Sequence, residues 1–217
     1  MVKDYILAAL GKRYAVTEEK GIPYEKLDKS GMHFRISSYE VPGLGHLCAM
    51  EMTAMLGLMK MESVVLTAEA KDLPLFNIDT IQAAGRHTLL VEFYDTMVSP
   101  LAPDQEALFR AAADRFASLP SYETGPRWYD SIRYDFSLGK TGKETRKQGE
   151  AIIRAYMEAY LEAALRAPDT DPEVKKAKTR AYADQLLAQG GPAVDQFRKL
   201  FGEEVTRDFF TSCMFRS

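Results

Sequence analysis

Between residues 31 and 97 the sequence is patterned for strands, and beyond residue 103 for helices, and this change of period constrains the fold more than any other feature. In residues 32–37, Met-His-Phe-Arg-Ile-Ser, apolar and polar side chains alternate, as a pleated strand with one buried face requires. Residues 47–54 and 58–67 are the next two strand candidates, with Met55-Leu56-Gly57 as the tight turn between them. Residues 87–95 form a further strand. The middle strands are apolar on both faces, so both faces of their sheet must be covered. The short links predict antiparallel neighbours, because a parallel pair needs a long crossover.

The second half reads as helices over residues 103–118, 143–166, 172–188, 193–201 and 203–214, with one short strand expected over residues 132–138. The prediction is a single domain over residues 1–217, folded as a three-layer α/β/α sandwich around a mainly antiparallel sheet.

Composition narrows the function. The 28 Lys and Arg against 31 Asp and Glu leave a net charge of −3, which argues against binding nucleic acid through bulk positive charge. The sequence lacks the run of ~20 apolar residues that a membrane span needs. The apolar patch at residues 6–10 runs straight into Gly11-Lys12-Arg13 and does not read as a secretory signal, so a cytoplasmic setting is expected. The two cysteines, Cys48 and Cys213, are too few for a disulfide scaffold. The three histidines, His33, His46 and His87, are scattered over different strands, and no metal site is expected. Phosphate loops, dinucleotide fingerprints and nucleophile elbows are absent.

The informative segment is Asp72-Leu73-Pro74-Leu75-Phe76-Asn77-Ile78-Asp79, where a carboxylate closes an otherwise apolar run. If Asp79 is buried, loss of solvation raises its pKa, and it can hold a proton near neutral pH as a donor or relay. If instead it lies just past the strand, it is a turn or cap residue.

The wording Leu73-Pro74-Leu75-Phe76-x-x-Asp79 resembles the ferredoxin-dependent bilin reductases, whose Leu-Pro-x-Phe-x-x-Asp run carries a proton-donating aspartate. Tyr39-Glu40-Val41-Pro42 upstream, Trp128 downstream, and Lys199-Leu200-Phe201-Gly202-Glu203 with Phe209-Phe210 near the end are similar to further family segments in the same order. The resemblance implies an α/β/α sandwich that binds an open-chain tetrapyrrole, biliverdin, between the sheet and the C-terminal helices. It implies no bound flavin, nicotinamide or metal, single electrons from an external reduced ferredoxin, and protons from side chains. Asp79 matches the family aspartate.

Other positions depart from the family. Glu62 stands where one branch has a histidine, and it is either a second proton store beside Asp79 or a solvent-facing strand glutamate. A family glutamate falls on Met50, or on Glu51 if the hairpin slips by one residue, which reverses the face. Gly190-Gly191-Pro192-Ala193 replaces a charged turn that reaches the bilin, leaving Arg35, Arg127 and Arg198 as candidate partners for the substrate's carboxylates. These departures leave open a chlorophyll-derived substrate, as in red chlorophyll catabolite reductase, or a tetrapyrrole-binding protein without catalysis. Two basic runs, Lys140/Lys143/Arg146/Lys147 and Lys175/Lys176/Lys178/Arg180, are candidate docking surfaces for an acidic ferredoxin or plain solvated helix faces. Methionines crowded between Met50 and Met61 suit either a flat apolar pocket or ordinary core.

Overall fold

A computed structural model describes residues 2–123 and 125–217. After a helix α1 (Val2–Leu10), the chain lays down β1 (Thr17–Glu18), β2 (Lys26–Lys29), β3 (Met32–Val41), β4 (Gly45–Ala54), β5 (Met59–Ala68), β6 (Leu75–Ala83) and β7 (Arg86–Tyr94). Helix α2 (Pro103–Asp114) and strand β8 (Leu138–Thr141) follow, and then helices α3 (Lys143–Arg166), α4 (Pro172–Gln189), α5 (Pro192–Phe201) and α6 (Glu203–Asp208). The last helix runs into a π-helical turn, Phe209–Met214.

Among the described residues the strands form one sheet in the order β1-β3-β4-β5-β6-β7-β8, with β2 also paired to β3. Every one of these pairings is antiparallel. The meander follows from links too short to cross over. The β4–β5 link is the expected Met55–Gly57 turn, with Met55 and Leu56 at positive φ, 53° and 56°.

Two cores sandwich the sheet, as the doubly apolar strands require. On one face Val41, Leu47, Val64, Leu66, Phe76, Ile78, Val91 and Phe93 pack against α1, α2 and α3, where Phe76 stacks on Phe93 and Tyr160. On the other face Phe34, Ile36, Cys48, Met50, Val65 and Tyr94 pack against α4, α5 and the closing turn, with Phe197 stacked on Phe209. Local signals set the helix starts. Pro172 opens α4 behind Asp171, whose carboxylate accepts from the Glu173 N–H at 2.9 Å, and Pro192 opens α5 directly after Gly190-Gly191.

One expectation needs correction, and two segments left open by the sequence are settled. The strand anticipated at 132–138 is not formed: Trp128–Ser131 is a single 3₁₀ turn, Arg133 makes only an isolated bridge to Tyr94, and the next strand begins at Leu138. Residues 75–83 are a full strand, so Asp79 sits inside it rather than at its end. The patch at residues 6–10 belongs to a helix whose Ile6 and Leu10 are buried. Among the described residues, no helix is long and apolar enough to cross a membrane. Cys48 and Cys213 are buried free thiols in the same core.

Candidate active site

Strand β6 begins right after Pro74, whose fixed φ suits a strand entry and whose missing N–H is best tolerated there. From there the pleat alternates. Phe76 and Ile78 enter the core beneath α3, while Leu75, Asn77, Asp79 and Ile81 face the C-terminal helices. Register then fixes Asp79's neighbours: it lies opposite Ser63 of β5 and Leu90 of β7, and Ser63 lies opposite Met50 of β4. One lateral row therefore reads Ile36, Met50, Ser63, Asp79, Leu90. The flanking row reads Met52, Met61, Ile81, Thr88.

The two faces differ in how completely they are covered. Under α3, Val64, Ile78, Leu89 and Val91 are all buried. Back to back with them, Met61, Asp79, Ile81 and Leu90 each keep some exposure. The C-terminal helices thus roof only part of their face, leaving a mostly apolar shelf with one carboxyl group on it. That shelf adjoins a cleft of about 640 Å³ between the edge of the sheet and residues 121–137, lined by Leu90, Glu92, Tyr122, Arg133 and Leu138. Asp79 does not itself line this cleft. It lies one strand inward, beside Leu90.

Asp79 retains a small accessible surface yet sits deep among protein atoms, as a side chain on the floor of a recess does. Burial pushes its carboxyl up to about 6, and the nearby Glu92 adds to the rise. Hydrogen bonds from the Ser63 hydroxyl and the Asn77 amide favour the charged form and hold the rise back. The Asn77 amide donates to Asp79 Oδ2 at 2.9 Å.

Glu92 escaped the sequence reading because it lies inside the apolar run of β7. It is buried, faces the same side as Asp79, and pairs in register with Asn77. Its Oε2 accepts from the Tyr94 hydroxyl at 2.9 Å and its Oε1 from Arg133 at 3.1 Å, and Arg133 also pairs with Asp130 at 2.9 Å. Tyr94 packs against Tyr129 and Tyr182. Burial raises the phenols of Tyr94 and Tyr182 well above the ordinary range, so both stay neutral donors.

The structure separates several residues that the sequence grouped. Met50 faces Asp79's side of the sheet, whereas Glu62 lies on the opposite face, one position out of phase with Ser63. Its Oε1 accepts from the Lys3 backbone N–H at 2.7 Å, and Glu51 pairs with the Lys3 ammonium at 2.8 Å, so both carboxylates tie down α1 rather than neighbour Asp79. Arg35 is exposed on that same far face and pairs with Asp28 at 3.1 Å. Arg198 is consumed by Asp195, Glu203 and the Leu187 carbonyl, holding α4, α5 and α6 together. Arg127 differs: it is half-buried beside Trp128 and Tyr129, and its Nε finds no hydrogen-bond partner. The adjacent Trp128 indole donates to the Gly190 carbonyl at 3.0 Å, so the small-residue turn is seated on the segment that carries Arg127.

Each basic run loses a lysine to the interior. The Lys140 ammonium donates to the Ala117 and Leu119 carbonyls at 3.1 and 2.9 Å. The Lys175 ammonium donates to the Leu73 and Thr96 carbonyls at 2.6 and 2.7 Å and pairs with Asp72 at 3.3 Å. The histidines remain apart. His33 is exposed beside Asp28, His46 is buried against Ser38, with burial pushing its pKa down to about 3, and His87 lies on β7. Among the described residues no three His, Cys, Asp or Glu side chains gather as a metal site.

No protein-family model matches the chain, and no curated protein does. Among solved structures it is similar to phytochromobilin synthase from tomato, determined in complex with biliverdin. The TM-score is 0.74 at 13% sequence identity, over 100% of this chain and 83% of the tomato chain. The two share a fold.

Proposed function

We propose that this chain reduces an open-chain tetrapyrrole of the biliverdin type, taking electrons one at a time from reduced ferredoxin and protons from its own side chains. The observation that carries this reading is Asp79: a carboxyl raised to about 6, on the floor of the partly roofed, apolar shelf facing the C-terminal helices. The fold shared with a protein solved with biliverdin supports the choice of ligand.

In this reading the flat pigment lies on Met61, Ile81 and Leu90, soft and branched side chains that suit an extended conjugated system. Arg127, whose Nε has no hydrogen-bond partner, is the candidate donor to one of its carboxylates. Reduction of one double bond takes up two electrons and two protons. Ferredoxin supplies the electrons, Asp79 delivers one proton to the reduced pigment, and the second comes from solvent through the adjoining cleft. A ligand over the shelf excludes water from Asp79 and tightens its hold on that proton until electrons arrive. With its remaining exposure, Asp79 recovers a proton from solvent once product leaves.

A second reading is tetrapyrrole binding without reduction. It is favoured by the placement of Glu62 and Glu51 on the far face, which removes two of the acids that the sequence offered. One anaerobic experiment distinguishes the two. Purified chain is titrated with biliverdin, and reduced ferredoxin is then added while the pigment spectrum is followed. The expected result is a saturable spectral shift on binding, then conversion to a blue-shifted product. Binding without conversion supports the second reading. A chlorophyll-derived linear tetrapyrrole converted in place of biliverdin revises the substrate, and failure to bind either pigment overturns both readings.

A further inference from the structure

We propose that Glu92 is the second acid of this site, a positioning residue that acts through Asp79 and fixes how tightly Asp79 keeps its proton. The inference deepens the reading of Asp79 as proton donor and rests on it, but its own evidence is geometric. Glu92 stands on the strand next to Asp79's, on the same face and in register with Asn77, whose amide donates to Asp79 at 2.9 Å. It is buried, and a carboxylate stays buried only when it is paired. Arg133 at 3.1 Å and the Tyr94 hydroxyl at 2.9 Å provide that pairing. Arg133 lines the cleft together with Glu92, so the ion pair forms part of the wall that a ligand would meet.

Two carboxyls facing one poorly hydrated space do not ionise independently, because charge on one raises the cost of charge on the other. Arg133 bonds to Glu92 and not to Asp79, so the pair's one neighbouring cation sits on the Glu92 side and Asp79 has none of its own. The other groups around Asp79 are Ser63 on β5, Asn77 on its own strand, Leu90 on β7, and the neutral phenol of Tyr182 from α4. None of these carries a charge, which makes the Glu92–Arg133 pair the adjustable electrostatic element.

The two halves of the pair have opposite signs, and this makes the proposal testable without substrate. Carboxyl protonation is followed by infrared difference spectroscopy on ligand-free protein, with the Asp79 band identified from Asp79→Asn. In Glu92→Gln the Asp79 titration is expected to move down by about one pH unit, as loss of a nearby like charge requires. In Arg133→Gln the carboxyl pair is expected to hold its shared proton to a higher pH than the parent. A purely structural role would not reverse sign between the two variants, and near-ultraviolet circular dichroism on each reports whether the fold is kept. An Asp79 titration unmoved in folded Glu92→Gln, or moved the same way in both variants, overturns the inference. Because no pigment is present, that failure is distinct from a failure of the proposed reductase activity.

Discussion

At the scale of single residues, Asp79 is held in a state that costs the fold stability. Its folded pKa of about 6 lies above the ordinary carboxylate value of 3.8. Between these values the folded chain binds more protons than the unfolded one. Stability attributable to this group is therefore greatest at low pH and is lost as pH rises from about 4 to 6. With allowance for its contact with solvent, the cost above pH 6 is about 2 kcal/mol. Asp79→Asn is accordingly expected to be more stable than the parent at pH 8 by about that amount and no more stable at pH 4, as chemical denaturation at the two pH values would show. In the proposed reading, that cost is what keeping a proton donor in a dry recess entails.

At the scale of elements, what holds the shelf in place lies away from it. Lys175 joins α4, which carries Tyr182, to the ends of β6 and β7 through the Leu73 and Thr96 carbonyls and Asp72. Lys175→Met is expected to cost about 3 kcal/mol, because it leaves the buried Asp72 carboxylate with the Val98 and Ser99 N–H groups but no cation, and to raise hydrogen exchange along α4 before α3. Gly45 opens β4 so close to the next strand that an added Cβ would stand 2.0 Å from the Thr67 carbonyl oxygen. Gly45→Ala is expected to cost about 3 kcal/mol in thermal or chemical denaturation, since backbone on both sides must shift. Periodicity made β3, β4, β5 and β7, their antiparallel order and the long C-terminal helices legible, but not β6 between them. It did not reveal β8, whose four residues carry no pattern, nor α1, which shows as a brief apolar patch. It also could not tell Asp79's face from Glu62's. That depends on Ser63, not Glu62, being Asp79's partner across β5, and such a register is set by the whole meander. Glu92 stayed hidden because, among Leu89, Leu90, Val91, Phe93 and Tyr94, one acid in a buried strand gives no local sign of the arginine that pairs with it.

At the scale of the whole molecule, the C-terminal helices stop short of one part of the sheet: Met61, Asp79, Ile81 and Leu90 stay partly bare on that face, while Val64, Ile78, Leu89 and Val91 are buried on the other. In the proposed reading a ligand covers that shelf, and a ligand that binds only the folded chain must stabilise it. At a hundredfold excess over its dissociation constant, a tetrapyrrole is expected to add about 2.7 kcal/mol, a rise in melting temperature of about 5 to 10 °C for a chain of this size. A cationic or aliphatic molecule of similar mass is expected to give no such rise. The central claim is that Asp79 hands a proton to a pigment lying on this shelf, and single-turnover reduction of bound biliverdin by excess reduced ferredoxin, measured across pH, tests it most directly. The parent rate is expected to fall as pH rises past the Asp79 titration, and Asp79→Asn to bind the pigment yet reduce it about 10² to 10⁴ times more slowly. A variant that binds and reduces biliverdin at the parent rate, with the same pH profile, would contradict the account.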